Sequence, residues 1–259
     1  MDRRVAGLTI SVVSHGHKDL VAAFAKQLAS VSTHIYIRLI ITINSLTLED
    51  FDQATIDRND HIEVLLLKNP TLLGFGANHN RAFQHCRSQF FCVVNPDIEI
   101  LNDSFMHLVD EFVDSRIGLA YPSQVNGKGS LLDFERDLAS PASIAKRHLL
   151  KKHRRFIDYK PHPVQWVSGA FMMFKSSVFR ELCGFDERYF MYCEDVDICL
   201  RLQLAGYQLA KADATVIHHT QRRTLKNLQH LAWHVRSLLR LWNSAAYKQY
   251  KGRFIDNKT

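Results

Sequence analysis

Short apolar runs alternate with longer amphipathic ones through the first 125 residues, and few architectures accommodate that order. The runs near residues 8–13 (LTISVV), 36–43, 62–67 and 90–94 have strand length and favour β-branched and aromatic residues. Helical periods fit near 19–30, 77–88 and 103–114. This alternation predicts a doubly wound α/β sheet with helices on both faces, which binds ligands outside the carboxyl ends of its strands. A short strand near 117–121 leads into the turn-rich YPSQVNGKGSLLD, and residues 133–163 form a polar, basic segment expected to be loop with partial helix. Order returns with a strand over 164–174, helices near 176–182 and 194–206, and a strand at Leu209–Ile217.

The segment Phe185–Tyr207 (FDERYFMYCEDVDICLRLQLAGY) concentrates the chemistry. Glu194, Asp195 and Asp197 follow the aromatic run Tyr189, Phe190, Met191, Tyr192, and they precede a largely apolar helix. Carboxylates in a first helical turn are favoured by the macrodipole, and they also serve as plain caps. Held at the mouth of a pocket, Asp195 or Glu194 is a candidate general base.

Two further clusters have chemical potential. Asp97 follows the strand Phe91–Val94, and Pro96 cannot continue a ladder, so the chain leaves the sheet there and aims Asp97 outward. Asp97 would either hold a hard cation or cap the helix that begins near Asn102–Asp103; Glu99 lies close by. His218 and His219 end a strand, so only one of them can face a site. Gly74 and Gly76 permit close backbone approach to a ligand before a helix whose N-terminus suits phosphate.

Taken in order, these segments resemble inverting family-2 glycosyltransferases, in particular their bacterial rhamnosyltransferase-like branch. NPTLLGFGANHN (69–80) is similar to the N-x-G-F-G-x-x-N-N segment, and FCVVNPDIE (91–99) to the strand-plus-acid motif, written Asn-Pro-Asp in this branch. WVSGAFMM (166–173) resembles the W-x-S-G-A strand, Glu194–Asp195 the "ED" motif, and VIHH (216–219) the histidine segment. The resemblance spans roughly residues 8–220 and implies a GT-A fold, with a nucleotide-sugar half over about 1–125 and an acceptor half over about 126–220.

It implies Asp195 or Glu194 as base and Asp97 with His218 at a Mg²⁺ or Mn²⁺ site. Asn80, Trp166 and Gly169 would contact the nucleotide sugar, although Trp166 is equally at home in a core. Many members carry an acid before the Asn that follows the second strand. Here the sequence is Ile43-Asn44-Ser45, so Asn44 remains and the base contact falls to the main chain or to Ser14 and His15.

Net charge is +7 over 259 residues, which points to anionic partners. No nucleic-acid recognition motif or base-stacking pattern accompanies it, so an anionic membrane surface or a diphosphate-bearing lipid matches the charge at least as well. The family resemblance implies a nucleotide-diphospho-sugar donor and a lipid-linked glycan acceptor. Five cysteines without a C-x-x-C pair suit a reducing cytosol, and no apolar stretch approaches the ~18 residues that span a bilayer. The expected location is cytoplasmic, peripheral at the inner face of the membrane.

Residues 221–259 form a basic helical extension, with Leu225, Leu228, Leu231, Ala232, Val235, Leu238, Leu239 and Trp242 on one stripe. That stripe would meet a membrane, the core, or a second subunit in a homodimer. A nucleotidyltransferase and a non-catalytic sugar- or membrane-binding module are the rival functions.

Overall fold

The computed structural model describes residues 7–31, 35–45, 61–101, 104–141, 164–219 and 228–256. Strands β1 (Leu8–Ser14), β2 (Ile37–Ile43), β3 (Ile62–Lys68) and β4 (Phe90–Val94) pair in parallel in the order β3-β2-β1-β4. Every residue of β1 and β4 is buried, as continuous apolar runs require in a sheet covered on both faces. β3 lies at the edge and is correspondingly half-exposed.

Beyond β4 the sheet turns mixed. β9 (Phe171–Lys175) runs antiparallel between β4 and β6 (Ile117–Val125), and β10 (Gln208–His218) is parallel to β6. β5 (Ile98–Ile100) closes the edge against β10, completing eight strands. The sheet therefore crosses residue 125 without a break between halves. β7 (Glu135–Arg136) and β8 (Trp166–Val167) form a separate two-stranded pair.

The run expected as one strand over 164–174 is thus two strands, interrupted at Ser168–Gly169–Ala170. The interruption has a cause: Gly169 N–H donates to a carboxylate rather than to a ladder.

Helices cover both faces. α1 (Lys18–Val31) buries Val21, Phe24, Ala25 and Leu28, an i, i+3, i+4, i+7 stripe, and α3 (Ser104–Glu111) packs on the same side. The opposite face carries α2 (Phe75–Phe83), α4 (Ser176–Glu181) and α5 (Glu194–Leu204). α5 is buried almost all round because it is packed on two sides. Ile198, Cys199 and Leu202 face the sheet, while Val196 and Leu200 meet Leu241, Tyr247 and Tyr250.

Those last residues belong to α6 (Leu228–Asn243) and α7 (Ala245–Phe254), the helices of the C-terminal extension. Leu238, Leu241 and Trp242 of α6 pack inward, whereas Leu228, Leu231, Val235 and Leu239 are exposed. The expected single stripe is thus divided: its Leu238–Trp242 end meets the core and the rest faces outward. Leu225, most of the basic segment at 133–163 and the start of the basic extension, residues 221–227, lie outside the described residues. All five cysteines are free thiols.

Candidate active site

A cavity of about 410 Å³ opens at the carboxyl ends of β1 and β4, where the sheet turns from parallel to mixed. Four stretches wall it. Val13, His15, His17 and Leu20 come from β1 and the start of α1, and Val94–Asp97 from the exit of β4. Ser168–Ala170 precede β9, and Met191, Tyr192, Glu194 and Asp195 lead into α5; Phe75, His79 and His218 complete the lining.

The three acids of α5 separate by environment. Asp195 is partly buried in the cavity wall, its Oδ2 accepting from Gly169 N–H (3.1 Å) and its Oδ1 from Val196 N–H (2.9 Å). Burial raises its carboxyl above the ordinary range, while those two N–H groups and Arg136 pull it back. Glu194 is 5% exposed and its Oε2 has no hydrogen-bond partner among the described residues. Burial and the adjacent Asp195 push its carboxyl well up. Asp197 turns away to accept from Arg201 Nε (2.6 Å), and Arg201 also donates to the carbonyls of Leu182 and Gly184. Asp197 therefore braces a loop and takes no place in the cavity.

Tyr192 and Cys193, immediately before these acids, both have left-handed backbone, with φ of 73° and 67°. Strained non-glycine residues persist where surrounding contacts over-determine them, often beside functional groups.

At the other wall His218 Nε2 lies 3.5 Å from Asp97 Oδ1, and its Nδ1 is 3.1 Å from Gln124 Oε1. The histidine ambiguity is thereby divided in space: His218 lines the cavity, while His219 is half-exposed and bonded to Glu99 (2.8 Å). Asp97 does not cap a helix, since β5 intervenes before α3. No group of three or more His, Cys, Asp or Glu side chains converges as a complete ligand set among the described residues. One carboxylate and one imidazole at open positions do suit Mg²⁺ or Mn²⁺, which commonly keeps waters and takes substrate phosphate as further ligands.

Several residues expected to touch the donor are hydrogen-bonded to other parts of the protein. Asn44 is buried, bonded to Leu73 through both its oxygen and its nitrogen, and lies 3.2 Å from His15 Nδ1. Asn69 donates to the side-chain oxygens of Asn44 and Asn78, so one amide network fixes the loop before α2. Ser14 is buried and its Oγ accepts from His17 N–H, shaping the turn beneath the cavity. Asn80 is committed to Phe185 and Glu187.

A Cβ on Gly74 would stand 2.6 Å from Phe190 O, and Phe75 N–H donates to that same carbonyl. The backbone of Phe190 thus occupies the close-approach side of Gly74 and the first amide of α2. Trp166 lies outside the lining, its Nε1 donating to Asp137 O and its ring beneath Arg136. Gly169 does line the cavity, where a side chain would press on Asp195 and Phe75 at 3.3 Å.

His17, Phe75, His79 and Tyr192 carried no assigned role in the sequence. His79 is 1% exposed, shares a hydrogen bond with Ser11 Oγ (2.8 Å) and meets the Phe75 ring edge-on at 4.5 Å. Burial lowers its pKa to about 3, with His15 adding to the effect, so it stays neutral. Its one legible signal was position, inside the glycine-bearing segment.

The profile of "Glycosyl transferase family 2" matches residues 13–183, and that of "Glycosyl transferase family group 2" matches 137–247. Rhamnosyltransferase WbbL of Escherichia coli (strain K12) is 28% identical over 248 residues, covering 89% of this chain and 90% of its own. The N-acetylglucosaminyl-diphospho-decaprenol L-rhamnosyltransferase of Mycobacterium tuberculosis (strain CDC 1551 / Oshkosh) is 27% identical over 233 residues, with 80% and 75% covered.

Among solved structures, the mannosyltransferase PcManGT from Pyrobaculum calidifontis, in complex with GDP-Man and Mn²⁺, superposes with a TM-score of 0.64 at 15% identity. That match covers 92% of this chain and 65% of the other. S. aureus TarS 1–349 in complex with UDP gives 0.56 at 12% identity, covering 97% and 76%. Both neighbours share the GT-A fold. With the family profile covering most of the chain and the motif segments gathered around one cavity, the protein belongs to glycosyl transferase family 2 and is a glycosyltransferase of glycan synthesis.

Proposed function

We propose that the enzyme moves L-rhamnose from dTDP-rhamnose, with inversion, onto a polyprenyl-diphosphate-linked glycan. The observation that carries this reading is Asp195, a carboxylate fixed by two backbone N–H groups in a cavity whose other wall holds Asp97 and His218. A base must be ionised and held within reach of the proton it removes, and the two N–H groups favour the ionised form at Asp195. At Glu194, whose Oε2 has no hydrogen-bond partner among the described residues, burial and the adjacent Asp195 favour the neutral carboxyl instead. Asp195 removes the proton of the acceptor hydroxyl, and the resulting oxygen attacks the anomeric carbon opposite the departing diphosphate, inverting the centre.

Asp97 and His218 would hold Mg²⁺ or Mn²⁺, whose chemistry there is to neutralise charge on the leaving diphosphate. His15 and His17 line the same cavity as that pair.

The names of the curated relatives support L-rhamnose as the transferred sugar and, for one of them, a lipid-diphosphate-linked acceptor. A membrane-bound acceptor agrees with the outer face of α6, where Leu228, Leu231, Val235 and Leu239 lie exposed near Arg236. No helix among the described residues is long and apolar enough to cross a membrane, so attachment would be peripheral.

Transfer from dTDP-rhamnose to N-acetylglucosaminyl-diphospho-farnesol in the presence of Mn²⁺ tests the reading. Loss of transfer in Asp97→Ala, together with loss of the Mn²⁺-dependent thermal stabilisation by dTDP, is expected. Full activity in excess chelator would remove the cation from the scheme. Preference for another nucleotide sugar in the stabilisation screen would replace the donor.

A further inference from the structure

Helix α6 does more than close the core. Its inner face grips the segment leading into Glu194 and Asp195 at successive residues. The ring of Phe190 packs on Trp233, with centroids 4.9 Å apart. Met191 O accepts from Ser237 Oγ at 2.8 Å. The Tyr192 hydroxyl shares a hydrogen bond with His230 Nδ1 at 2.9 Å, and its ring lies 5.0 Å from that of His234. From the opposite side Phe75 N–H holds Phe190 O at 2.9 Å. A stretch containing two consecutive left-handed residues is therefore pinned between α2 and α6.

Met191 and Tyr192 are also cavity wall, a few residues from Asp195. The conformation of that wall depends on contacts from a helix that does not itself line the cavity. The hydrogen bond to His230 is a polar link from α6 to a lining side chain, and the tautomer of His230 decides which partner donates.

We propose that His230 is a positioning residue for the acceptor. Its bond to the Tyr192 hydroxyl holds the wall beside Asp195 in the shape that admits the acceptor sugar, which places acceptor affinity under the control of α6. The proposal rests on Asp195 being the base, since that assignment makes the neighbouring wall the acceptor side. Donor binding, on the Asp97–His218 side, is not expected to respond.

The test is the KM for each substrate in the full-length enzyme, with dTDP-rhamnose and N-acetylglucosaminyl-diphospho-farnesol as probes. His230→Ala should raise the acceptor KM about fivefold to tenfold, as loss of one positioning hydrogen bond predicts, with donor KM unchanged. His230→Asn sets an amide near the position of Nδ1 and should restore the acceptor KM. Tyr192→Phe should raise the acceptor KM equally, and combining it with His230→Ala should add nothing further.

An unchanged acceptor KM in His230→Ala overturns the proposal. So does a parallel rise of both KM values with a lowered Tm that His230→Asn does not rescue, because that pattern marks a merely structural residue. Absence of transfer by the wild-type protein would instead overturn the proposed donor or acceptor. Hydrogen exchange at residues 189–193 then decides the matter without a substrate: faster exchange in His230→Ala, restored in His230→Asn, is expected, and unchanged protection refutes the link.

Discussion

Asp195, Glu194 and Asp197 lie within one helical turn yet meet three different environments, and each environment predicts a different mutant. Asp195→Asn keeps the shape of the side chain but removes the proton acceptor. Turnover should fall at least ~10²-fold with donor affinity nearly unchanged, measured as kcat alongside dTDP-rhamnose binding. Wild-type-like turnover there, with Glu194→Gln inactive, would move the base to Glu194.

Glu194→Gln carries a stability signature as well. Its folded carboxyl is raised above the unfolded value, so the folded state holds a proton that the unfolded state has already released. Stability from this group is greatest below the unfolded pKa and is lost as pH rises toward the folded one. Glu194→Gln should therefore raise Tm at pH 7–8 relative to wild type, and the difference should shrink as pH falls toward 4. A Tm difference independent of pH would show that the carboxyl is not raised. Asp197 behaves oppositely when its partner is removed: Arg201→Ala strands a carboxylate that is 4% exposed and should cost about 3 kcal/mol in urea unfolding.

At the scale of elements, the loop before α2 shows how little of a site's construction is contact with substrate. Asn44, Asn69 and Asn78 share one buried network, and Gly74 lets that loop approach the backbone of Phe190. Gly74 has an ordinary backbone conformation (φ −68°), so the constraint is space alone. Gly74→Ala should destabilise by about 1–3 kcal/mol and loosen the segment around Phe190, read as a lowered Tm and a reduced kcat together. Unchanged stability would show that the two loops can separate at no cost. α5 illustrates the complementary point. Its apolar residues look like a poorly amphipathic helix until the sheet and the α6–α7 pair are both in place, each claiming one side.

For the whole molecule, the outward face of α6 is where the proposed membrane contact is tested. Replacing Leu228, Leu231, Val235 and Leu239 with Ser should abolish binding to anionic vesicles while leaving transfer to a short, soluble acceptor intact. Wild-type binding should weaken with salt, since charges are screened beyond ~10 Å at 0.1 M. Retained vesicle binding in the variant, or a stable dimer that the four substitutions dissociate, would reassign the face to another occupant.

The sequence by itself determined the parallel strands of the first half, because continuous burial and strand length are written in local composition. It also determined that an acid stands at the exit of β4 and another at the start of α5, because Pro96 and the onset of helical periodicity are local signals too. Only the tertiary structure decided which acids face the cavity. Asp195 and Asp197 differ in whether Gly169 N–H or Arg201 reaches them, and those partners arrive from elements packed on different sides of α5. The same holds for His79, which joins the site through Ser11 of β1, and for α6, whose role follows from the loop it meets. Periodicity states which residues share a face, but what that face touches is settled only when chain segments remote in sequence come together.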